Sequence, residues 1–554
     1  MQTLSEFSGI PLSQETGIGA LTLPRFIHDL ASRHAERCAI CWRDLSGEDQ
    51  RWSYQELLQK AEQVAQSLTA LGVSKGSRVG ILVSNRPEWL FCLFGASMTG
   101  AVTVALNTFS TRQELIHQLK FADLSVVLLE AEVASKNFVE DFLAICPALQ
   151  AQQSEAFAID EFPFLRHVAC IDRGKARGGI LDWEKFLARG AAIPVSLVRA
   201  SAAAADPVDD GLIFFSSGST ALPKAIRHTH RAATLQCWRL AKIYDYDESV
   251  RTWNANGYFF SGNFAMAFAT LCRGGCLVML RYFDPEQALE LIQREKVSCI
   301  IAWPHQEARL KDCPQWETGD FSTAHWVVPD SVFLSHPTVS TDWGGFNGYG
   351  STETFTFVTL ARVDGPISDA MGPPLPGNTI RIVDPDTGAT LPLGQTGEIV
   401  VKGPTLTPGY LKIAPEEAFD SEGFLHTADA GYLSEEGILH WEGRLSDIIK
   451  TGGANVSPAE IDAVIAGHPA IRSSHTIGIP HQTLGEIVVS CIVLREGQQL
   501  TASDVKDYAK QTLSGYKVPR EVLFLNQGEL PMTGTNKVKL AGLRDIAARR
   551  LSGD

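Results

Sequence analysis

GLIFFSSGSTALPKAIRHTHRA, residues 211–232, starts as an apolar strand from Gly211 to Phe215. It then crosses small hydroxyl residues around Gly218 and runs past Pro223 and Lys224 into a helix-like segment. The side chains of Ser216, Ser217, Ser219 and Thr220 are short and Gly218 has none, so the backbone can approach a ligand closely with N–H and O–H donors. Lys224 adds a point charge, which completes a donor set suited to phosphate oxygens. This is not a Walker A loop, because Ala225 follows the lysine where Ser or Thr is needed and the glycine spacing differs. Taken alone, the same residues also describe a surface turn, so the reading depends on the rest of the chain.

Upstream, helix-like and strand-like patterns alternate. LPRFIHDLASRHA and RWSYQELLQKAEQVAQSLTALGV place apolar residues at helical spacing, the second ending at a glycine. RVGILVS, SVVLLEAE and CLVMLRYF are short apolar runs of the kind a parallel strand buried on both faces requires. Such alternation predicts an α/β fold. SAAAADPVDD, residues 201–210, reads as a linker of small and acidic residues. In the last hundred or so residues AEIDAVIAGHP, SSHTIGIP, EIVVSCIVL and ASDVKDYAKQTL form a compact α+β pattern, with no internal repeat.

Composition narrows the function. The chain has 554 residues, enough for about three or four compact units, with 45% hydrophobic and 20% charged residues as in ordinary globular proteins. With 48 basic and 63 acidic residues the formal charge is -15, and no basic stripe interrupts it, which argues against nucleic acid as a partner. The 11 cysteines are scattered. Cys38 and Cys41 have CxxC spacing but no second pair at zinc-site distance, and CAICW reads as a packed strand. MQTLSEFSGIPLSQETG lacks a signal-peptide pattern, so a cytoplasmic location is expected. Trp89 to Leu106 carries no formal charge, but its Gly and Thr residues and the NRPE start predict a buried helix, a break at Gly100 and a short strand VTVAL, not a transmembrane segment.

Three downstream segments carry chemistry. NGYGSTETF, residues 347–355, is a glycine turn presenting an aromatic ring, hydroxyls and a carboxylate. GFLHTADAGYLSEEGILHWEGRLSDIIKTGGANVSPAEID, residues 423–462, holds Asp429 before a hairpin, then Arg444 and the glycine pair Gly452–Gly453. PMTGTNKVKL, residues 531–540, offers Lys537 and its near neighbour Lys539.

In this order the segments resemble the adenylate-forming superfamily, which includes acyl- and aryl-CoA synthetases, firefly-type luciferases and peptide-synthetase adenylation domains. That family's loop reads Thr-Ser-Gly-Ser-Thr-Gly, two residues, Lys-Gly; here Ser216 replaces the first Thr, and Ala221 and Ala225 replace glycines. Ala428 and Asn536 also stand where glycine is usual. MGPPLPGNTIRIVD and GEIVVKGPTLTPGYL match between the motifs, so the likeness covers nearly the whole chain.

The resemblance implies a large multi-layer α/β N-terminal domain, residues 1–445, and a small mobile α+β C-terminal domain, residues 446–554. It implies that the loop and Lys224 grip the β- and γ-phosphates of ATP. Tyr349 is expected to stack on adenine, Thr352 to contact the α-phosphate, and Glu353 to help hold Mg²⁺. Asp429 and Arg444 are expected at the ribose. Lys537 is expected to bridge the attacking carboxylate and the α-phosphate, with Lys539 as its rival. KTGGANVSP has the form typical of the CoA-ligase branch, so Gly452 and Gly453 are expected to border a tunnel for CoA. The hinge between domains falls on Ser446 or Asp447.

The implied activity is ATP-dependent acid–thiol ligation through an acyl-adenylate, with CoA as acceptor and a small carboxylic acid as substrate. In WNANGYFFSGNF no acid is present for an α-amino group, and Phe259 stands where many relatives have His. Trp253, Tyr258, Phe259, Phe260 and Trp303 could line an apolar pocket for an aryl, alicyclic or medium-length acyl acid, and core packing explains them equally well. Two further readings stay open: loading of a separate carrier protein, and a nucleotide-binding relative silenced by its glycine replacements.

Overall fold

The computed structural model describes residues 3–44, 47–151, 159–216, 223–362, 370–451, 454–481, 484–513, 515, 517–532 and 538–552. It is a mixed α/β protein with a large N-terminal and a smaller C-terminal domain. Its first sheet has seven strands. Leu181–Asp182, His167–Cys170, Val126–Leu129, Arg78–Leu82, Val102–Ala105 and Asp210–Ser216 run parallel, and Lys224–Thr229 closes the edge antiparallel. The strand residues VVLL and VTVA are buried throughout, as a sheet covered on both faces demands.

Helix Pro87–Met98 buries every residue except Glu88. It stops before Gly100, whose φ of 78° only glycine adopts without strain, and the chain re-enters the sheet at Val102. The uncharged stretch is thus a core helix and a strand. Among the described residues no helix is long and apolar enough to cross a membrane.

Two expected boundaries shift for local reasons. Arg51 and Trp52 belong to strand Asp49–Ser53, and the helix begins at Tyr54. Ser53 and Glu56 set that start with a reciprocal cap: Glu56 N–H donates to Ser53 Oγ at 3.2 Å and Ser53 N–H to Glu56 Oε2 at 2.7 Å. Residues 201–210 are not a plain linker. Their alanines extend helix Val195–Ala203, in keeping with alanine's helix propensity, and Asp210 already starts the next strand.

A second sheet orders Cys299–Ile301, Arg251–Asn254, Cys276–Leu280, Cys38–Arg43 and Asp49–Ser53. A third, antiparallel sheet joins Glu6–Ser8 to Thr379–Val383, Gly397–Lys402, Leu425–Leu433 and Leu439–Arg444. Its buried Ile380, Ile382, Ile399 and Val401 pack against Tyr349.

The C-terminal sheet contains Ile449–Thr451, Ala454–Val456, Ile471–His481, Gly485–Leu494 and Glu521–Phe524. Strand alternation sorts its two faces. Val488 and Ile492 pack on helices Pro458–Ala466 and Ala502–Ala509, while Ile477, Val489 and Cys491 pack on helix Leu540–Ser552 through Leu543 and Ala547.

Candidate active site

Strand Asp210–Ser216 lies beside Val102–Ala105 and pairs with Lys224–Thr229, with Ser216 opposite Lys224. The expected loop residues Ser217, Gly218, Ser219 and Thr220 lie outside the described residues, as does the side chain of Ser216. Lys224 is described. Its ammonium sits 5.2 Å from the ring centroid of Tyr410, and the Tyr410 hydroxyl donates to Glu353 Oε1 at 3.0 Å. Lys224, Tyr410 and Glu353 therefore form one contact chain between the two segments.

Glu353 and Thr352 stand in a tight turn. Gly350–Ser351 pairs with Thr356–Phe357, and Phe355 and Thr356 adopt φ of 49° and 81°. A Cβ on Gly350 would lie 1.8 Å from the Thr356 carbonyl oxygen, so only glycine fits there. The turn leaves Thr352 and Glu353 half-buried, with the Glu353 carbonyl accepting from Thr407 N–H at 2.7 Å.

Tyr349 precedes this turn and is only 6% exposed. Its hydroxyl donates to Asp429 Oδ2 at 2.6 Å. Arg444, opposite Asp429 in the hairpin register, places Nε 3.0 Å from Asp429 Oδ1 and donates from Nη1 to the Thr427 carbonyl at 3.0 Å. Burial raises the Asp429 carboxyl above its usual range, opposed by the Tyr349 hydrogen bond and by Arg444. Burial also pushes the Tyr349 phenol well up, so it remains a donor.

Ala428 sits at φ 57°, the left-handed region that favours glycine. Its N–H donates to Glu398 Oε1 at 2.9 Å, while Glu398 Oε2 takes His426 Nδ1 at 2.8 Å. That tether holds the Asp429 backbone despite the missing glycine.

The small cleft between Glu353, Tyr410, His426, Asp429 and Arg444 has a volume of about 60 Å³. It admits the hydroxylated edge of a sugar, not a whole nucleotide. No group of three or more metal-ligating side chains occurs among the described residues. A single carboxylate, Glu353, suits a cation such as Mg²⁺ whose other ligands are phosphate oxygens and water.

A separate cavity of about 370 Å³ is walled by Phe259, Phe260 and Trp303, with Phe109 and Phe283, and has Asn256 and Arg309 among its polar groups. Phe259 and Phe260 have centroids 4.7 Å apart, and Trp303 lies 5.9 Å from Phe260. Trp253 and Tyr258, expected beside them, are not among the lining residues. Trp253 is on a strand flanked on both sides in the second sheet and is wholly buried. Tyr258 turns inward onto Trp89 and Phe268, at 5.4 and 5.7 Å. A larger cavity of about 680 Å³, lined by Trp42, Trp52 and Trp183, contains none of the expected site residues.

Both hinge candidates fall in the single turn Leu445–Asp447 between strands Leu439–Arg444 and Ile449–Thr451. Asp447 Oδ1 is 3.6 Å from Arg544, and the Ser446 side chain lies outside the described residues. Strands Ile449–Thr451 and Ala454–Val456 pair antiparallel, and Gly452–Gly453 lies outside the described residues. Lys537 does too, whereas Lys539 is described and exposed. Tyr410, Glu398 and His426 were not singled out from the sequence. The signal for Tyr410 was present in GEIVVKGPTLTPGYL, whose tyrosine follows Gly409 at φ 129°.

Comparison with known proteins gives a consistent result. Residues 27–411 match the model of the AMP-binding enzyme family, and residues 460–537 match that of the AMP-binding enzyme C-terminal domain. The chain is 26% identical over 541 residues to a putative acyl-CoA synthetase, YngI, of Bacillus subtilis, covering 95% of this chain and 96% of the relative. It is 28% identical over 496 residues to a feruloyl-CoA synthase of Amycolatopsis sp, covering 88% and 92%. The crystal structure of ATP-bound MatB from Rhodopseudomonas palustris superposes with a TM-score of 0.73 at 26% identity, covering 94% of this chain and 98% of MatB.

Proposed function

Since the chain belongs to the AMP-binding enzyme family, we propose that it is an ATP-dependent acid–CoA ligase acting on an aryl acid or a similarly apolar one. The carboxylate attacks the α-phosphate of ATP to give acyl-AMP and pyrophosphate. The CoA thiol then attacks the acyl carbon, giving the thioester and releasing AMP. The observation that carries this reading is the Tyr349–Asp429–Arg444 cluster next to the Lys224–Tyr410–Glu353 chain. One set supplies a buried acceptor for ribose hydroxyls, the other a cation and a carboxylate for a triphosphate.

The residue roles are those the family resemblance implies, set on this geometry. Asp429 exchanges its protein donors for the ribose hydroxyls, and Arg444 opposes the upward pull of burial on its carboxyl. Tyr349 offers its ring face to adenine. Thr352 and Lys224 approach the phosphates, with Ser216, Ser217, Gly218, Ser219 and Thr220 as the cradle. Glu353 would help hold Mg²⁺, which would supply charge neutralisation at the phosphates. Lys537 neutralises charge at the α-phosphate in the transition state. Residues 1–445 and 446–554 act as two bodies turning on Ser446 or Asp447, so that Lys537 serves adenylation and Gly452–Gly453 the thioester step.

The acid class rests on the cavity walled by Phe259, Phe260 and Trp303, whose volume suits a ring-sized acyl group. A panel of aryl, alicyclic and C4–C12 acids tests it through acid-dependent pyrophosphate release. Phe260→Ala is expected to lose about ten- to hundredfold in kcat/KM for the best acid, as loss of apolar pocket contact does, while the KM for ATP stays unchanged. An unchanged ranking of acids in that variant assigns the acyl group to another cavity.

A further inference from the structure

Cys38 and Cys276 stand apart from the nucleotide cleft and the aromatic cavity. They open two neighbouring parallel strands, Cys38–Arg43 and Cys276–Leu280, in which Leu277 lies opposite Ile40. Their Sγ atoms are 3.6 Å apart. Cys38 is half-buried, whereas every other cysteine of the chain is buried. The charged groups around it are Arg51, Arg251 and Glu295. Arg51 Nη2 is 2.8 Å from Glu295 Oε1, and Arg251 Nη2 is 2.5 Å from Glu295 Oε2. The Cys276 hydrogen bond, then Arg251 and Arg51, hold the Cys38 thiol below the ordinary thiol range against the opposing effect of burial. Cys41, three residues on, shows the contrast: burial and the Glu295 carboxylate push it up to about 12.

We propose that Cys38 and Cys276 form a peroxide-reactive dithiol, with Cys38 as the nucleophile and Cys276 as the resolving thiol. Exposure gives Cys38 access to oxidant, the two arginines stabilise its thiolate, and the partner sulfur is already in contact. In the first step the Cys38 thiolate attacks one oxygen of hydrogen peroxide. The O–O bond breaks, Cys38 becomes a sulfenic acid and hydroxide leaves. In the second step the Cys276 sulfur attacks the Cys38 sulfur. The S–O bond breaks, the thiol proton leaves with the hydroxyl as water, and a disulfide remains. The two sulfurs together lose two electrons, which the peroxide gains. A small thiol returns the pair to its reduced form by exchange.

The test uses the reduced full chain at about neutral pH. It is exposed to hydrogen peroxide, blocked with a maleimide and digested for peptide mass spectrometry. The expected product is a peptide pair joined through Cys38 and Cys276, formed before any other cysteine is modified and released by dithiothreitol. In Cys276→Ser the Cys38 sulfenic acid accumulates and is captured by dimedone. Arg51→Gln slows oxidation of Cys38 about tenfold, because less of the thiol is ionised. Failure of the joined peptide to form while buried cysteines oxidise, or passage of Cys38 straight to sulfinic acid with Cys276 intact, overturns the proposal. The wild-type arm decides the matter even if a variant folds poorly.

Discussion

Asp429→Ala is expected to raise the KM for ATP by about two to four orders of magnitude, because it removes two hydrogen bonds to a charged acceptor at about 1.5–3 kcal/mol each. In the free protein the same carboxylate takes the Tyr349 hydroxyl at 2.6 Å and the Arg444 guanidinium at 3.0 Å. Alanine therefore also strands a buried phenol and an arginine, and some loss of thermal stability accompanies the binding defect. Asp429→Asn separates the two effects. Its amide oxygen still accepts from Tyr349, so stability is largely kept, but the neutral group binds the ribose less well and the KM for ATP rises about tenfold. Steady-state kinetics with ATP varied, alongside a melting curve, checks both variants. A folded Asp429→Ala protein with an unchanged KM for ATP contradicts the placement of the ribose here.

The second large effect is acid sensitivity of the fold. His228 is fully buried between Phe214 and Phe355, at 5.7 and 4.9 Å, and neither ring nitrogen finds a partner among the described residues. His230 is 1% exposed and its Nδ1 likewise has no partner among the described residues. Burial depresses their pKa values from 6.5 to about 3 and about 4. Below about pH 6.5 the unfolded chain takes up protons that the folded protein refuses until those lower values. Stability is thus lost as pH falls through this window, at about 1.4 kcal/mol per pH unit for each ring. Between pH 7 and 5 the two rings together cost about 4 kcal/mol. His228→Leu, close in volume, removes one contribution and both orphaned nitrogens. It is expected to be more stable than wild type at pH 5 by about 2 kcal/mol or more, with a flatter pH profile in urea unfolding. Parallel profiles for the two proteins contradict this account of the ring.

Much of the architecture was legible in local patterns. RVGIL and VVLL read as strands covered on both faces, and the Gly100 break divided an uncharged stretch into helix and strand. Residues of separate motifs lie together in the structure: Tyr349 and Arg444 both contact Asp429, and Glu353 lines the same cleft. Pairings between distant segments were not legible. Strand Glu6–Ser8 pairs with Thr379–Val383, and nothing local in EFS announces that partner. Aromatic residues were ambiguous for a physical reason, since a ring in a core and a ring on a cavity wall make the same demand for apolar surroundings. Phe259, Phe260 and Trp303 ended on the wall, while a central strand carried Trp253 into the core. Glu398 and His426 escaped notice because their task is to hold Ala428, and a supporting carboxylate leaves no motif of its own.

The most direct test of the central claim is pyrophosphate release from MgATP with the best acid of the panel, with and without CoA, in wild type and in Lys537→Ala. The account predicts release that requires the acid, accelerates with CoA as AMP and the thioester accumulate, and falls to background in the variant. Folded wild-type protein that binds ATP yet releases pyrophosphate at the same rate with and without any acid would contradict it.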